Sequence, residues 1–389
     1  MRPVLPALLV ATLASPALAE TPCGGDFGAF REALRAEAVA AGADPDAAAR
    51  FLAAARQDEA TLAADGRQGV FQMPFVDFAR RLISADRLET GRRMAERHAG
   101  TLAEVEAAYG VSPGVLLAFW ALETDYGAVQ GDFHTISSLV TLAHDCRRPE
   151  IFRPQVLAAL ALHERGQFPL DTTGAWAGEI GQVQMMPVEI LHRGVDGDGD
   201  GRVDLKGSVA DSLHTGGRVL RDLGWRANEP WLQEVRVPSD LDWSLTGLDG
   251  RRPVSDWAAL GVTAREGALP EGLEAALLLP QGRGGPAFLA YPNFETLFEW
   301  NESFVYVLTA AYLAARLEGA PVFEAGSPEP GLGPEEMVRL QERLAALGHD
   351  VGGADGILGR LTREAVQAEQ RRLGLPADAW PTRALLERL

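Results

Sequence analysis

The chain has 389 residues, of which 47% are hydrophobic and 23% are charged, and its formal net charge is −18 with an isoelectric point near 4.9. A chain of this length exceeds one typical domain and can bury a full hydrophobic core. The excess of acidic residues argues against nucleic acid or an anionic lipid surface as the main partner, because both would repel the protein.

The first 19 residues are typical of a secretory signal peptide. Arg2 supplies a positive start, residues 5–13 are mostly apolar, and the segment from Ala17 to Ala19 is a small-residue cleavage site. The apolar run is too short for a transmembrane helix, which needs about 20 residues. No other stretch of the sequence is a transmembrane candidate, so we expect an exported, soluble protein.

The only two cysteines are Cys23 and Cys146. In an oxidising compartment they could form a disulfide, which would stabilise the fold by roughly 4–5 kcal/mol because it closes a loop of more than about 100 residues. The alternative is two free buried thiols. No cysteine or histidine spacing supports a metal or redox role for them.

Residues 26–64 and 87–109 carry apolar side chains at helical spacing. Between these two segments, Phe71, Phe75 and Phe78 form an aromatic cluster that we interpret as part of the core. The first half of the chain is therefore predicted to be almost entirely α-helical.

A helix is predicted to begin at Ser112-Pro113, where the serine hydroxyl could cap free amides and the proline ring fits the first helical position. Its apolar side chains recur at helical spacing: Leu116, Phe119, Trp120 and Leu122. Glu123 lies in this apolar surface, so its pKa is expected to rise toward about 6, as in lysozyme. Such a carboxyl group can protonate a leaving oxygen. The alternative is a solvated glutamate near a helix end.

Residues 172–187 break the helical period with three glycines. Gln182 and Gln184 alternate with Val183 and Met185, which could place both amides on one side of an extended loop. There they could hydrogen-bond the acetamide and hydroxyl groups of a sugar. The alternative is a purely structural glycine loop.

Residues 196–204 have the aspartate and glycine spacing of a calcium-binding loop. The predicted ligands are the side chains or backbone carbonyls of Asp196, Asp198, Asp200, Arg202 and Asp204. Gly207 stands where such loops have a bidentate glutamate, so a later carboxylate, Asp211, would have to close the site. We predict a structural Ca²⁺ ion here; the alternative is an Asp-Gly turn without metal.

The second half of the chain begins with a predicted β-rich insert. Residues 232–237 and 275–279 are interpreted as short strands, and one continuous helix is predicted from Phe294 to Leu317, with Trp300 near its start. Residues 325–333 are rich in proline and glycine and are interpreted as a linker. Three short helices after it form a compact accessory module, because so few residues can bury only a small core.

Three motifs in this order resemble the membrane-bound lytic murein transglycosylase B family over residues 25–317. They are WALETDYG at 120–127, WAGEIGQVQMMP at 176–187 and the aspartate loop. The C-terminal segment resembles a three-helix peptidoglycan-binding domain, through DGxxGxxTxxAV and LGLP. The expected domains are a signal peptide (1–19), a lysozyme-like α-helical catalytic domain with a small β-rich insert (20–324), a linker (325–333) and a peptidoglycan-binding domain (334–389).

The resemblance implies cleavage, without water, of the β-1,4 bond between N-acetylmuramic acid and N-acetylglucosamine in the periplasm. Glu123 would protonate the glycosidic oxygen and then deprotonate the muramic 6-hydroxyl, which closes on C1 to give a 1,6-anhydro end. The expected partners are peptidoglycan glycan strands and unidentified cell-wall assembly proteins. The candidate substrate-binding residues are Tyr126, Gln182, Gln184, Met185 and Trp300.

Two other functions are weighed against this one. A muramidase-type hydrolase would need a second carboxylate, for which Glu179 is the best candidate because Asp125 points away from Glu123 on the helix. A non-catalytic wall-binding or scaffold protein would use the C-terminal module and a cleft without turnover.

Overall fold

The computed structural model describes residues 21–66 and 72–389 of the chain. The predicted signal peptide at 1–19 lies outside these residues, and so does Phe71. The described residues form a mainly α-helical protein with a small antiparallel sheet and a C-terminal helical module. The predicted fold class, mainly α with a small β-rich insert, is confirmed.

Helices dominate the chain before the insert. They are α1 (Phe27–Ala40), α2 (Pro45–Ala54), α3 (Glu59–Asp65), α4 (Phe75–Leu82), α5 (Ala85–Arg97), α6 (Ala99–Tyr109), α7 (Pro113–Thr124), α8 (Thr135–His144), α9 (Pro149–Glu164), α10 (Pro187–Arg193) and α11 (Val209–Asp222). Two short strands, β1 (Phe133–His134) and β2 (Thr173–Gly174), pair antiparallel between α7 and α10.

Helix α7 lies in the larger of the hydrophobic cores. Every residue from Gly114 to Ala121 is buried, as expected for a helix that is apolar on all sides. It packs against α14 (Phe304–Leu317), which is also buried along most of its length. The position of Glu123, near the end of α7, is therefore set by a rigid element.

The start of α7 differs from the prediction in its cap. Ser112 is the N-cap residue and Pro113 opens the helix, but the Ser112 hydroxyl makes no capping hydrogen bond. Instead it donates to the carboxylate of Glu318, and the same carboxylate oxygen accepts the Gly114 N–H at 3.1 Å. A carboxylate is a suitable cap because it satisfies a free amide and complements the helix dipole.

The N-terminal helices form a second core with α8 and α9. The predicted disulfide is confirmed: Cys23 and Cys146 are bonded, with their Cα atoms 5.2 Å apart, across 123 residues of sequence. The bond ties the start of the described chain to the segment between α8 and α9.

Within residues 72–389, the β-rich insert is an antiparallel sheet in the order β4-β6-β7-β3-β5. The strands are β3 (Leu232–Arg236), β4 (Arg252–Pro253), β5 (Thr263–Ala264), β6 (Glu274–Leu278) and β7 (Ala287–Ala290), and α12 (Val254–Ala259) follows β4. The two predicted strands are confirmed as β3 and β6. Strand β7 was not predicted; it is a run of only four buried residues.

The single helix predicted from Phe294 to Leu317 is wrong. The segment forms α13 (Pro292–Trp300) and α14, which are separated by an extended residue, Asn301, with φ −150° and ψ 125°. The Asn301 side chain accepts the Ser303 N–H at 2.9 Å, a local bond of the kind with which asparagine competes against helical hydrogen bonds. The break redirects the chain between Trp300 and α14.

The C-terminal module consists of α15 (Pro334–Ala346), α16 (Arg360–Arg372) and α17 (Arg383–Arg388) around a small core. The stretch predicted as a linker is held in place: Ser327 N–H donates to the Gly284 carbonyl at 2.7 Å, and Trp380 Nε1–H donates to the Glu329 carbonyl at 2.8 Å. The module is therefore docked on the larger domain rather than loosely tethered.

Among residues 21–66 and 72–389, no single helix is both long and apolar enough to cross a membrane. Helices α6 and α7 reach that length and composition only when they are taken together, across a bend of 115°.

Candidate active site

Glu123 occupies the next-to-last position of α7, where the chain leaves the helix through a tight turn. Asp125, Tyr126 and Gly127 all have positive φ, at 51°, 60° and 85°. The left-handed conformation costs on the order of 1–3 kcal/mol at each non-glycine residue and is concentrated at functional sites. This turn ends the helix directly after the carboxylate.

Two aromatic side chains donate hydrogen bonds to the same oxygen of Glu123. The Tyr306 hydroxyl donates to Oε1, and Trp300 Nε1–H donates to Oε1 at 3.3 Å. The Trp300 ring stacks on Phe119, with ring centroids 4.4 Å apart and an angle of 22°. The break between α13 and α14 allows both donors to reach a carboxylate on α7.

These surroundings raise the pKa of Glu123 to about 7. Burial is the largest cause, because it penalises the charged form, and the negative charge of Glu179 adds to it. The hydrogen bonds from Tyr306 and Trp300 act in the opposite direction, since they stabilise the carboxylate. Glu123 nevertheless keeps part of its surface accessible, so another molecule can reach it. The predicted direction of the pKa shift is confirmed.

Tyr306 was not among the predicted site residues. It stands in a mostly apolar run, FVYVLTAAYL, which also contains Thr309 and a second tyrosine, Tyr312. A polar hydroxyl in such a run is the one signal that could have found it. A phenol hydroxyl buried in such a helix needs a hydrogen-bond partner, but nothing local in the sequence shows which one.

The glutamine loop at 180–185 is not extended, so this part of the prediction is wrong. Ile180 and Met185 exchange both backbone hydrogen bonds, each 3.0 Å long, and the four residues between them form a turn. Gly181 and Gln184 provide the positive φ values that the turn requires, 84° and 49°. The loop therefore does not present the two amides side by side.

Each glutamine has its own partners inside the protein. Gln182 is buried; its Oε1 accepts Trp120 Nε1–H at 3.0 Å, and its carbonyl accepts the Thr124 hydroxyl at 2.6 Å. Gln184 is half-buried, and its amide donates to the Gly181 carbonyl at 2.8 Å. Gln182 thus fixes the loop against the end of α7, while Gln184 keeps an exposed part that could meet a ligand.

The remaining candidate substrate contacts also lie mostly in the interior. Tyr126 is 9% exposed, and its hydroxyl donates to the Arg87 carbonyl at 2.9 Å. Met185 is 4% exposed and packs in the second core. Of the five predicted contacts, Trp300 is the one with a hydrogen bond to Glu123.

Glu179 is half-buried, and its Oε2 is buried without a hydrogen-bond partner. Burial raises the pKa of this carboxyl group, and the backbone amides of Glu179 and Ala177 and the charge of Arg148 oppose that rise. Arg148 is itself hydrogen-bonded to Asp65, which is buried. The charge of Glu179 raises the pKa of Glu123, so a second carboxylate lies close enough to influence Glu123 electrostatically.

The aspartate loop brings together part of its predicted ligand set. One carboxylate oxygen each of Asp196, Asp198 and Asp211 lies within 4.8 Å of the others. Asp211 is 1% exposed and accepts the N–H groups of Gly197 at 2.8 Å and Asp204 at 2.7 Å. The later carboxylate expected to close the loop is thus in position.

The other predicted ligands of the loop have local partners. Asp200 accepts the Arg202 N–H at 2.8 Å, and Asp204 accepts the Lys206 and Gly207 N–H groups at 3.0 and 2.9 Å. The loop also supports the glutamine loop, since the Leu205 carbonyl accepts the Gln182 N–H at 2.8 Å.

Known families match both parts of the chain. The family described as "Transglycosylase SLT domain" matches residues 26–315, and "Putative peptidoglycan binding domain" matches residues 333–389. The chain belongs to the SLT transglycosylase family. The predicted relationship to membrane-bound lytic murein transglycosylase B is thereby confirmed, together with the C-terminal peptidoglycan-binding domain.

Individual relatives support this assignment. Membrane-bound lytic murein transglycosylase B of Escherichia coli K12 is 26% identical over 234 residues, which are 59% of this chain and 64% of that protein. The chain thus matches less than two thirds of the length of this curated relative.

Solved structures of similar proteins have the same fold. SltB3 of Pseudomonas aeruginosa, in complex with NAG-anhNAM-pentapeptide, is 38% identical with a TM-score of 0.86, and the match covers 94% of this chain and 99% of SltB3. Escherichia coli Slt35, solved in complex with calcium, is 23% identical with a TM-score of 0.65 over 79% of this chain and 98% of Slt35. The lysozyme-like architecture expected of an SLT domain is therefore confirmed.

Proposed function

We propose that this protein is a lytic transglycosylase that cleaves the β-1,4 bond between N-acetylmuramic acid and N-acetylglucosamine in peptidoglycan and leaves a 1,6-anhydromuramic end. The observation that carries the proposal is the geometry of Glu123, a largely buried carboxyl group at the end of α7 that accepts hydrogen bonds from Tyr306 and Trp300 and whose pKa burial raises to about 7. A group with a pKa near the working pH can serve as acid in one step and as base in the next. Membership of the SLT family supports the same reaction.

The reaction uses Glu123 twice. In the first step the protonated carboxyl group donates its proton to the glycosidic oxygen, and the bond from that oxygen to C1 of the muramic residue breaks. In the second step the carboxylate takes the proton of the C6 hydroxyl, whose oxygen bonds to C1. No water is consumed, and the carboxyl group regains its proton.

The two aromatic donors suit this double role. Both contact Oε1, which leaves Oε2 to carry the proton toward the substrate. Their hydrogen bonds stabilise the carboxylate formed after the first step, while burial favours the protonated form needed before it. The balance of these effects keeps both protonation states accessible near neutral pH.

The products of purified peptidoglycan test this proposal against hydrolysis. We expect wild-type enzyme to release fragments with anhydro ends, one water lighter in the mass spectrum than fragments with reducing ends. Glu123→Gln should lower the rate by at least about 10³-fold, because general acid–base catalysis is lost in both steps.

Glu179→Gln is the matched variant, because it removes the other carboxyl group whose charge influences Glu123. It should retain far more activity than Glu123→Gln and should still give anhydro ends. Reducing ends as the main product, with equal losses in the two variants, would favour a hydrolase that uses both carboxyl groups. Retention of peptidoglycan without any released fragment would favour a scaffold protein.

We also propose that the protein acts in the periplasm and that the C-terminal module binds peptidoglycan. The predicted signal peptide, the Cys23–Cys146 disulfide and the match of residues 333–389 to the peptidoglycan-binding family support this location. Unidentified cell-wall assembly proteins remain predicted partners.

The aspartate loop is proposed to bind a structural Ca²⁺ ion. The oxygens of Asp196, Asp198 and Asp211 lie within 4.8 Å of one another, and two ligands on opposite sides of a calcium ion are about 5 Å apart. These hard, negatively charged oxygens are the donors that Ca²⁺ prefers. The bound ion would neutralise the clustered carboxylates and hold the loop that supports Gln182.

A further inference from the structure

A cavity of about 300 Å³ lies at the junction between the C-terminal module and the β-rich insert. Helix α16 contributes one wall, which includes Arg363, Gln367 and Arg371, and the segment from Ser244 to Gly250 contributes another. Gln367 connects the two walls, because its amide donates to the Thr246 carbonyl at 2.9 Å. The cavity is therefore shaped by two docked domains and does not belong to the Glu123 site.

The positive charges in this cavity are unequally compensated. Arg360 forms ion pairs with Glu364, at 2.9 Å, and with Asp249. Arg363 and Arg371, in contrast, have no carboxylate oxygen within 4.0 Å among the described residues. Three carboxylates, of Asp249, Glu364 and Asp378, also line the cavity, but none of them forms an ion pair with Arg363 or Arg371.

Arg363 is the more constrained of the two. Its Nη2 donates to the Pro280 carbonyl at 2.8 Å, and its guanidinium lies 4.3 Å from the ring centre of Phe304. Its Nε is buried without an acceptor. Burial lowers the pKa of Arg363, but only to about 9, so the side chain stays charged at neutral pH.

The buried carboxylate in the cavity wall, Asp378, makes no hydrogen bond or ion pair with Arg363. Asp378 also lines the cavity, but its oxygens accept Arg283 Nη1–H at 3.0 Å, the Arg283 N–H at 3.1 Å and Gln370 Nε2–H at 3.0 Å. These bonds hold Asp378 toward Arg283. Asp378 stabilises the charge of Arg363 from a distance, but Arg363 and Arg371 remain without a direct ion-pair partner and are free to pair with an anion from outside the protein.

We propose that this cavity binds the terminal carboxylate of a peptidoglycan stem peptide. A guanidinium group matches a carboxylate because its planar donors can bind both oxygens. The volume is at the lower end of the range for small-molecule sites, about 300–1,000 Å³, which suits the end of a short peptide better than a glycan chain. Leu278, Leu279 and Phe304 provide apolar walls for the methyl groups of terminal alanines.

This proposal rests on the proposed function, since it takes peptidoglycan as the substrate. It adds a second point of recognition, at the peptide rather than at the glycan. Because both domains line the cavity, a bound stem peptide would also hold the module in its docked orientation on the catalytic domain.

The test is calorimetric titration of the full-length protein with diacetyl-L-lysyl-D-alanyl-D-alanine. The same peptide with a C-terminal amide is the control, because it lacks only the carboxylate. Acetate and inorganic phosphate are titrated separately, to distinguish a peptide site from a site for free anions. We expect the acid peptide to bind at least tenfold more tightly than the amide peptide and than either small anion.

The variant Arg371→Gln removes the exposed cavity arginine and should weaken binding of the acid peptide by about tenfold. Arg372→Gln is the matched control: Arg372 is the next residue on α16, but it pairs with Glu369 at 2.6 Å and does not line the cavity. Its affinity for the peptide should equal that of the wild type. Arg363→Lys keeps the charge without the planar donors, and it should also weaken binding.

Equal affinity for the acid and amide peptides would overturn the proposal, and so would unchanged binding by Arg371→Gln. Acetate or phosphate binding as tightly as the peptide would show a site for small anions and overturn the peptide assignment. Cleavage of peptidoglycan by the same samples separates this result from the proposed function. Anhydro products without peptide binding would refute only the cavity proposal.

Discussion

The Glu123 site and the aspartate loop contain the same chemical group in opposite surroundings. Glu123 is a single carboxyl group packed among aromatic rings, with two side-chain donors on one oxygen. The loop carboxylates are clustered, and backbone amides donate to them from within the loop itself.

The contrast shows what determines the chemistry of a carboxylate. In apolar surroundings the charged form is penalised, so the carboxyl group keeps its proton up to about neutral pH and can act as an acid there. In a cluster of carboxylates surrounded by amides, a divalent cation can neutralise several charges together. Mutations at the Glu123 site and mutations in the aspartate cluster should therefore have separate and measurable effects.

The largest effect on stability is expected from Glu123→Gln above neutral pH. Glu123 has a pKa of about 7 in the folded protein against an ordinary value of 4.5, so the folded state holds a proton that the unfolded state loses between these values. The free energy of unfolding should therefore fall as the pH rises through this window. Removing the charge should stabilise the protein by at most about 3 kcal/mol at pH 8 and have little effect at pH 4.

Thermal unfolding of the wild type and of Glu123→Gln at pH 4, 6 and 8 measures this difference. Glu96→Gln is the control, because Glu96 is exposed on α5. A variant that is no more stable than the wild type at pH 8 would contradict the role of burial at position 123.

The second effect concerns calcium. At a calcium concentration about 100 times the dissociation constant, binding should stabilise the folded protein by about 2.7 kcal/mol relative to EDTA. Asp211→Asn should lose most of this gain, because Asp211 is the buried member of the carboxylate cluster. Asp222→Asn changes an aspartate of the same helix, α11, outside the cluster and should keep the full gain. Unfolding temperatures with calcium and with EDTA give both values, and an equal gain in the two variants would remove Asp211 from the site.

The smallest effect is expected from Tyr306→Phe, which leaves the carboxyl group in place and removes one hydrogen bond to it. The hydroxyl stabilises the charged form, so its loss should raise the pKa of Glu123 by about one unit. The limb of the pH–rate profile on which activity falls as Glu123 ionises should move to higher pH by the same amount. Trp300→Phe should shift this limb less, because the hydrogen bond from Trp300 to Glu123 is 3.3 Å long.

Tyr126→Phe is the control for this shift, since the Tyr126 hydroxyl donates to the Arg87 carbonyl and does not contact Glu123. Profiles of kcat/KM between pH 5 and 9 measure the limb for the free enzyme. A limb that stays in place, or moves to lower pH, in Tyr306→Phe would show that the hydrogen bond does not stabilise the carboxylate.

Much of the protein could be predicted from the sequence because the relevant signals are local. Glu123 stands within one helical run of apolar residues, and the aspartates follow one another at the spacing of a metal-binding loop. To predict the disulfide it was enough that the chain has two cysteines and a predicted signal peptide for export. In each case the residues that reveal the feature lie within a few positions of one another or admit a single pairing.

Only the tertiary structure decided how the site is completed. Tyr306 and Glu123 are 183 positions apart in the sequence. The break at Asn301, which lets the aromatic donors reach α7, lies in a segment that was predicted to be one continuous helix. The interior positions of Gln182 and Tyr126, and the docking of the C-terminal module, likewise depend on contacts between distant segments. Periodicity and spacing report which face of an element is apolar, whereas the packing of whole elements determines which polar group meets which partner.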